Sequence, residues 1–436
     1  MTAVESFIQA LRGHGVSWMA TLCGHGLDPL FHAASQAGLR LVDARNEQTA
    51  AYAAEAYGRL TRKPGVCAVS SGIAHVNALS GVASAWFDGA PMLLVTGAGD
   101  LATAGMGHFQ DMDQPALARS ITKFSRTIDV PGRAVDILHE ALRTAAAPPP
   151  GPVHITFPMD VQRAPVERVT RRSVAVRAEA PPDDEVDLAR YERPLIVAGS
   201  GIWYANEGDA LVRFAEEFAI PVVTPIWDRG AVAAPSPAFM GVIGAASGGP
   251  ELLGEADCII MAGAVPDYRV RFLEPGAVRQ DARIVYSWKG ARGGKPHTGW
   301  LAHACRMRED FRRRVEQAGA KQAEAGPHAV HIIDALRKVM TADTVLLIDG
   351  GSIGQWAHQL LTDRYPGHWL TCGRSGVVGW GIGGAMGARM AFPDRPVILL
   401  SGDGAFTFTV AELECAARQK LHFRSEERRV GKECRN

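Results

Sequence analysis

The sequence predicts an α/β protein built of three consecutive doubly wound parallel-sheet domains, the third of them incomplete. Short apolar runs that suit buried strands alternate with longer amphipathic segments, as in residues 66–70, 76–86 and 91–97. The alternation starts again near residue 194 and near residue 344. A strand–helix–strand order implies parallel strands joined by right-handed crossovers, which is typical of open α/β sheets.

Changes in composition predict the domain boundaries. Residues 146–152 contain four prolines, residues 177–193 are polar, and residues 324–327 read Glu-Ala-Gly-Pro. Such segments favour linkers over packed elements. We therefore expect domains at residues 1–170, 185–322 and 328–423, followed by a tail at residues 424–436.

Composition and charge exclude several classes of protein. Lysine plus arginine and aspartate plus glutamate both total 46, so no overall basic field attracts nucleic acid or an anionic membrane. Seven cysteines without a Cys-x-x-Cys pair favour reduced thiols. The chain has neither a signal-peptide pattern at its start nor an uninterrupted run of about 18 apolar residues. We expect a cytoplasmic protein that binds no nucleic acid and no membrane.

Glu47 is the first residue to suggest chemistry. A predicted strand at residues 39–43 precedes it, and an alanine-rich predicted helix follows. The carboxyl ends of strands are where open α/β sheets bind ligands. On position alone, however, a favourable interaction between a first-turn glutamate and the helix dipole is the simpler explanation.

Several further segments give Glu47 a context. They include Ser-Ser-Gly-Ile-Ala-His-Val-Asn at residues 70–77 and His-Phe-Gln-Asp-Met-Asp at residues 108–113. In order and spacing, the first domain resembles the pyrimidine-binding domain of thiamine diphosphate-dependent enzymes of the acetolactate synthase, benzaldehyde lyase and 2-hydroxyacyl-CoA lyase type. The other segments that carry this resemblance are residues 85–92, 120–123 and 151–161.

The resemblance implies roles for residues of this domain. Glu47 would bond a ring nitrogen of the cofactor's aminopyrimidine and favour the imino tautomer, which then removes the thiazolium proton. A carboxyl group that is screened from water can share a proton with such a weakly basic nitrogen. Gln110 would face the substrate, and His25 is either a substrate contact or an ordinary loop histidine. The resemblance also assigns cofactor contacts to Gly24, Ser71 and Asn77.

The third domain resembles the diphosphate-binding domain of the same family. Residues 373–388 form a glycine-rich run that leads into a predicted helix. The resemblance implies that the carbonyl of Gly376 accepts from the cofactor's exocyclic amine. Val378 would occupy the place of a larger apolar residue, often Met, that bends the cofactor into a V. Close packing of a helix on a strand is the alternative explanation for the glycines.

The turn at residues 402–404 follows a predicted strand. A carboxylate at this position suits Mg²⁺, which prefers oxygen ligands and bridges diphosphate oxygens, so Asp403 is the expected metal ligand. Backbone amides at a helix start bind anions. The residues expected to contact the diphosphate are Gly402, Gly404 and Ala405.

The central domain contains Gly199-Ser200-Gly201 after a predicted strand. A lone Gly-x-Gly is a weak dinucleotide signal, and it is the only support for a nicotinamide oxidoreductase. The resemblance favours a scaffold role for this domain. FAD, which acetolactate synthases bind here, is the less favoured alternative.

The last 13 residues depart from the family pattern, which continues with an apolar strand and an Asn-Asn pair. Eight of the residues 424–436 are charged, which excludes a buried strand. They resemble a translated sequencing adapter. We therefore expect a non-native tail on a C-terminally truncated chain.

The resemblance predicts a thiamine diphosphate- and Mg²⁺-dependent carboligase or decarboxylase that acts on a 2-oxo acid. It also implies a homodimer or homotetramer, because relatives bind the two halves of the cofactor on different subunits. A lyase for 2-hydroxy ketones or 2-hydroxyacyl-CoA is one alternative. An inactive truncated product that does not bind the cofactor is the other. For the 436-residue chain itself we expect weak or no binding of thiamine diphosphate, because the second half of the expected metal site is missing.

Overall fold

A computed structural model describes residues 1–167, 185–232, 235–244, 251–321, 328–361 and 368–428. The chain divides into two compact units. The first unit comprises Met1–Glu179, Cys372–Leu399 and Gly404–Ser425, and the second comprises Ala180–Thr371, Leu400–Asp403 and Glu426–Asn436. The predicted boundaries of three domains remain a prediction.

The first unit contains a six-stranded parallel sheet in the order β2-β1-β3-β4-β6-β5. Its strands are β1 (Trp18–Leu22), β2 (Arg40–Asp43), β3 (Gly65–Val69), β4 (Met92–Ala98), β5 (Phe124–Thr127) and β6 (Pro152–Pro158). The helices between and around them are α1 (Ala3–Gly13), α2 (Asp28–Gln36), α3 (Glu47–Thr61), α4 (Ile73–Asp88), α5 (Gln114–Ala118), α6 (Ala134–Ala146) and α7 (Met159–Arg163).

Both faces of this sheet are covered, as a doubly wound fold requires. Neighbouring residues of β3 enter different cores, Val66 and Ala68 on one face and Cys67 and Val69 on the other. One core is closed by residues of α1, α2 and α6, and the other by residues of α3 and α4. The prediction of a parallel α/β fold is therefore confirmed.

Helix α3 has short side chains on the face that packs against neighbouring helices, which allows these helices to approach closely. A Cβ atom built at Gly81 of α4 would lie 2.3 Å from the Cβ atom of Ala51. The helix begins where the side chain of Asn46 accepts a hydrogen bond of 2.8 Å from the Gln48 amide. It ends at Arg62, which is left-handed with φ of 60°. The amino-terminal cap places Glu47 in the first turn of α3.

The central sheet lies in the second unit and has five parallel strands in the order β10-β9-β8-β11-β12. A separate two-stranded sheet pairs β7 with β13. The strands are β7 (Val186–Asp187), β8 (Pro194–Ala198), β9 (Val222–Pro225), β10 (Phe239–Ile243), β11 (Cys258–Ala262), β12 (Arg283–Val285) and β13 (Ala291–Arg292). The helices are α8 (Ser200–Tyr204), α9 (Gly208–Glu217) and α10 (Thr298–Lys321).

The remaining sheet has four strands in the order β15-β14-β16-β17. Its strands are β14 (Val345–Ile348), β15 (His368–Thr371), β16 (Val397–Gly402) and β17 (Arg424–Arg428). The helices of this part of the chain are α11 (Ala329–Val339), α12 (Ser352–Leu360), α13 (Trp380–Ala391), α14 (Asp403–Phe408) and α15 (Glu412–Arg418).

The charged tail forms a strand where the sequence excluded a buried one. β17 is an edge strand, with Arg424 exposed and Ser425 half-buried. An edge strand pairs on one side only and tolerates charged side chains, which explains how such a sequence can extend a sheet. Residues 429–436 lie outside the described part of the chain.

None of the helices in the described residues is long and apolar enough to span a lipid bilayer.

Candidate functional site

Polar residues collect at the carboxyl edge of the first unit's sheet. Gly24 and His25 follow β1, Glu47 follows β2, and Ser70 and Ser71 follow β3. Because β2, β1 and β3 are parallel neighbours, their carboxyl ends meet at one edge. This is the edge where open α/β sheets bind ligands.

Glu47 is oriented by an amide from the neighbouring helix. The Asn77 Nδ2 atom of α4 donates to Glu47 Oε2 over 3.0 Å, and the carboxyl is half-buried. The second carboxylate oxygen, Oε1, accepts no hydrogen bond within the described residues. Burial, together with the charge of Glu47, raises the pKa of the Cys67 thiol in β3. The Cys67 thiol is therefore protonated and uncharged, and the nearby Glu47 has one carboxylate oxygen available to a ligand.

Ser71 joins two predicted site residues. Its hydroxyl donates to Gln110 Oε1 over 2.9 Å and lies 3.2 Å from Nδ1 of His25. The hydroxyl of Ser71 therefore contacts the side chains of both Gln110 and His25. Gly24 approaches the neighbouring Ser70 so closely that a Cβ atom there would lie 2.7 Å from the Ser70 hydroxyl oxygen.

Gln110 has an unusual backbone conformation. It is left-handed, with φ of 60°, a state that is uncommon for residues with a side chain and that concentrates at functional sites. Gly72 lies against it, and a Cβ atom at Gly72 would be 2.5 Å from Gln110 Cβ. Gln114 then fixes this loop, accepting from the Gly72 amide at 3.1 Å and donating to the Gly97 carbonyl at 2.8 Å. Gln114 could not be predicted from the sequence, because a helical glutamine has no distinctive pattern.

A pair of buried histidines lies in the same unit. The rings of His75 in α4 and His154 in β6 are 4.7 Å apart, and the hydroxyl of Thr96 lies 2.8 Å from His154 Nε2. Burial lowers the pKa of His75 to about 4. Burial and the neighbouring His75 also lower the pKa of His154. Both rings are neutral at physiological pH.

Close packing explains part of the glycine-rich run at residues 373–388, but the packing is of a helix on a helix and not on a strand, as the sequence suggested. A Cβ atom at Gly387 would lie 2.2 Å from the Ala53 carbonyl oxygen, so this glycine is needed where α13 crosses α3. Gly376, by contrast, is left-handed with φ of 62° and has open space at its Cβ position. Val378 is 47% exposed. Packing explains the helical glycine, while Gly376 and Val378 remain available to a ligand.

A buried ionic group lies where α13 crosses α3. The Trp380 indole donates to Glu55 Oε2 over 2.8 Å, and Arg59 Nη1 lies 3.2 Å from Glu55 Oε1. Burial raises the pKa of Glu55 to about 7, which the attraction of Arg59 only partly offsets. Glu55 is therefore far more easily protonated than an ordinary glutamate.

The Gly402-Asp403 turn lies beside the start of α12 in the second unit. A Cβ atom at Gly351, the residue before α12, would be 3.1 Å from Gly402 Cα. The Gly402 amide donates to the Gly350 carbonyl over 2.9 Å. Amides in the first turn of a helix have no partner within the helix and bind anions. This helix start was not predicted from the sequence, although glycines between a strand and a helix could have indicated it.

The donors in this region fit a diphosphate and Mg²⁺. Asp403 supplies one carboxylate, and Mg²⁺ in proteins is commonly held by one or two carboxylates together with phosphate oxygens. The described residues contain no group of three or more His, Cys, Asp or Glu that could hold a metal alone. Gly404 is exposed with nothing near its Cβ position, whereas Ala405 is buried.

The glycines of the central domain have a packing explanation. A Cβ atom at Gly199 would lie 2.3 Å from the Gly263 carbonyl oxygen. The intervening Ser200 hydroxyl donates to Asp228 Oδ1 over 2.7 Å. The Gly-x-Gly signal is therefore accounted for without a bound dinucleotide, which favours the scaffold role.

Three sequence families match the chain in order. The N-terminal TPP binding domain of thiamine pyrophosphate enzymes matches residues 1–117. The central domain of these enzymes matches residues 187–287. The C-terminal TPP binding domain matches residues 349–424.

Similar proteins carry more than one activity in their names. An acetolactate synthase large subunit of Mycobacterium tuberculosis is 29% identical, covering 97% of this chain and 82% of that protein. The acetolactate synthase isozyme 2 large subunit of Escherichia coli is 27% identical over 97% of this chain and 81% of its own length. The 2-hydroxyacyl-CoA lyase 2 of Danio rerio is 26% identical over 95% and 78%, respectively.

Proposed function

Because the chain belongs to the thiamine pyrophosphate-dependent enzyme superfamily, we propose that it is a thiamine diphosphate- and Mg²⁺-dependent carboligase or decarboxylase of a 2-oxo acid. The observation that carries the proposal is the pairing of Glu47 with Asn77 at the carboxyl edge of the first unit's sheet. The similarity to acetolactate synthases supports the substrate class.

Thiamine diphosphate, when bound, supplies the nucleophile and the electron sink for breaking a bond next to a carbonyl group. Glu47 would hold a proton at its free Oε1 atom for exchange with the aminopyrimidine, while Asn77 keeps Oε2 in place. A half-buried carboxyl group suits this task, because restricted access of water favours sharing a proton over losing it to solvent.

Ser71, Gln110 and His25 would orient the substrate. Ser71 contacts both side chains, so the amide nitrogen of Gln110 would donate to a carbonyl oxygen and the imidazole of His25 would contact a substrate hydroxyl. Gly24 lets the backbone of its loop approach Ser70 closely.

The diphosphate and Mg²⁺ would be held by the turn after β16. Asp403 would supply a carboxylate ligand, and the amides at the start of α12 would bind phosphate oxygens. Backbone groups of Gly402, Gly404 and Ala405 complete the proposed contacts. Gly376 and Val378 would contact the other half of the cofactor. We also propose a cytoplasmic homodimer or homotetramer, since the resemblance implies a cofactor shared between subunits.

A lyase for 2-hydroxy ketones or 2-hydroxyacyl-CoA is the second candidate. The observation in its favour is the position of His25, whose imidazole contacts Ser71 and would exchange a proton with the hydroxyl of a 2-hydroxy substrate. The similarity to a 2-hydroxyacyl-CoA lyase points the same way.

Calorimetry and turnover by the 436-residue chain test the proposal. If the proposal holds for this chain, thiamine diphosphate with Mg²⁺ binds and pyruvate is consumed with release of CO₂. Glu47→Gln should lower turnover by a factor of about 10³, because a positioned proton-transfer group typically raises the reaction rate by a factor of about 10²–10⁴. Glu217→Gln, at an exposed position of α9, is the matched control and should leave turnover unchanged.

Each other outcome identifies an alternative. A folded chain without affinity for the cofactor would favour an inactive product. Cleavage of a 2-hydroxy ketone or a 2-hydroxyacyl-CoA without pyruvate turnover would favour the lyase. A flavin retained through purification would add FAD to the cofactors. Equal activity of Glu47→Gln and Glu217→Gln would remove Glu47 from the mechanism.

A further inference from the structure

A cavity of about 610 Å³ opens at the amino edge of the first unit's sheet. The loops that enter β1 and β3 form one side of it, through Trp18 and Val66. Tyr57 near the end of α3 and the carboxyl end of α6 form the other side. The volume lies within the range of about 300–1,000 Å³ that small-molecule sites occupy.

This cavity is separate from the candidate functional site. The strands β1 and β3 start at the cavity, whereas Gly24 and Ser71 follow their far ends. Along α3, Tyr57 lies ten residues after Glu47, a rise of about 15 Å. A ligand in the cavity would therefore not contact the residues proposed for catalysis.

One wall of the cavity is aromatic. The rings of Trp18 and Tyr57 meet edge to face, with centroids 5.2 Å apart and planes at 77°. Trp18 is only 4% exposed, and Tyr57 is half-buried. Burial raises the pKa of the Tyr57 hydroxyl, so this wall carries no charge. It suits an apolar or aromatic group.

The charged residues that line the cavity are all basic. Lys63 and Arg143 stand at its rim together with His14, and the lining contains neither aspartate nor glutamate. Within the described residues, neither Lys63 nor Arg143 forms an ion pair. Burial and the neighbouring His139 lower the pKa of His14. Two cations without ion-pair partners therefore line the same cavity as the apolar wall.

The wall formed after α6 is held from outside the cavity. The Lys123 ammonium donates to the carbonyls of Ala147 and Pro149 at 2.6 Å and 2.7 Å. The Gly151 amide donates to the Ala145 carbonyl over 3.0 Å. These bonds fix the loop independently of any ligand, and a preformed cavity lowers the entropic cost of binding.

We propose that this cavity binds a small organic anion that joins a carboxylate to an aromatic or branched apolar body. The carboxylate would lie between Lys63 and Arg143, and the apolar body would lie on Trp18 and Tyr57. Arginine and lysine bind carboxylates through charge-assisted hydrogen bonds, which are about twice as strong as neutral ones. The arrangement thus selects for charge and for shape at once.

Calorimetry on the full chain with 2-naphthoate tests the proposal. We expect 2-naphthoate to bind and 2-naphthamide, which has the same apolar body without the charge, to bind about tenfold more weakly. The double variant Lys63→Gln/Arg143→Gln should weaken 2-naphthoate binding to the level of the amide. Lys338→Gln, at an exposed position of α11, makes the same change elsewhere and should have no effect.

A second variant keeps the test independent of charge. Ala146 is exposed and lines the cavity, so Ala146→Trp should fill it and abolish binding without disturbing the core. Absence of 2-naphthoate binding, equal affinity for the acid and the amide, or binding that survives Ala146→Trp would each overturn the proposal.

Discussion

The first sheet and the central sheet are both parallel, but the polar residues at their carboxyl edges form different kinds of contact. At the first sheet, Glu47 and Ser71 each fix a neighbouring side chain and leave polar atoms for a ligand. At the central sheet, Asp228 binds both Ser200 and Arg269. The comparison shows that a doubly wound sheet provides a place for a site, while individual residues decide whether a site exists there.

The central edge depends on one buried guanidinium. Arg269 has a 1% exposed side chain and lies 3.1 Å from Asp228 and 2.9 Å from Asp267. It also donates to the Ile226 carbonyl over 3.0 Å. Burial disfavours its charge, but the two carboxylates outweigh burial and raise the pKa of Arg269. The group is therefore a structural junction.

The largest expected effect is the loss of this junction. Arg269→Ala should lower the free energy of unfolding by about 3–5 kcal/mol, because it leaves buried carboxylates without their partner. Urea denaturation followed by tryptophan fluorescence measures the change. Arg279→Ala is the matched control, since Arg279 pairs with Asp281 at the surface. If both variants unfold at the same urea concentration, Arg269 does not support the central edge.

The next effect is a dependence of stability on pH at the first sheet. The folded-state pKa of His75 is about 4, against an ordinary value of 6.5. Below pH 6.5 His75 binds a proton in the unfolded chain but not in the folded chain, so the free energy of unfolding decreases as pH falls towards 4. His75 should cost about 2 kcal/mol between pH 7 and pH 5. Urea denaturation of His75→Leu at both values should show a correspondingly smaller loss than the parent chain.

Glu55 provides a control of opposite sign. Its folded-state pKa is about 7, against an ordinary value of 4.5. Its contribution to stability is complete below pH 4.5 and is lost as pH rises through 7. Compared with the parent chain, Glu55→Gln should therefore gain free energy of unfolding at pH 7 relative to pH 5, because the variant has no carboxyl group to ionise in the core. A pH profile that neither substitution alters would contradict both assignments.

The sequence predicted those parts of the structure that depend on local pattern. The strands near residues 66–70 and 194–199 form almost as expected, because continuous apolar runs between glycines favour buried parallel strands. The position of Glu47 at the start of α3 also follows from local signals, since Asn46 is a favourable helix cap.

Contacts between distant residues could not be predicted in the same way. Asn77 reaches Glu47 across 30 residues, and Ser71 reaches Gln110 across 39. No periodicity encodes such pairs, which arise only when strands and helices pack. The tail at residues 424–428 is a similar case, because a neighbouring strand determines whether a charged segment extends a sheet.

The smallest expected effect concerns Ser71, which sharpens the contrast between the two edges. Ser71→Ala removes the hydroxyl that holds Gln110 and His25, and the loss of such bonds costs about 1 kcal/mol of stability. If these side chains orient the substrate, KM should rise about fivefold while Ser71→Thr, which keeps a hydroxyl, restores it. Ser35→Ala, at an exposed position of α2, is the control. An unchanged KM in Ser71→Ala would mean that Ser71, like the polar residues at the carboxyl edge of the central sheet, only makes contacts within the protein and does not help to bind the substrate.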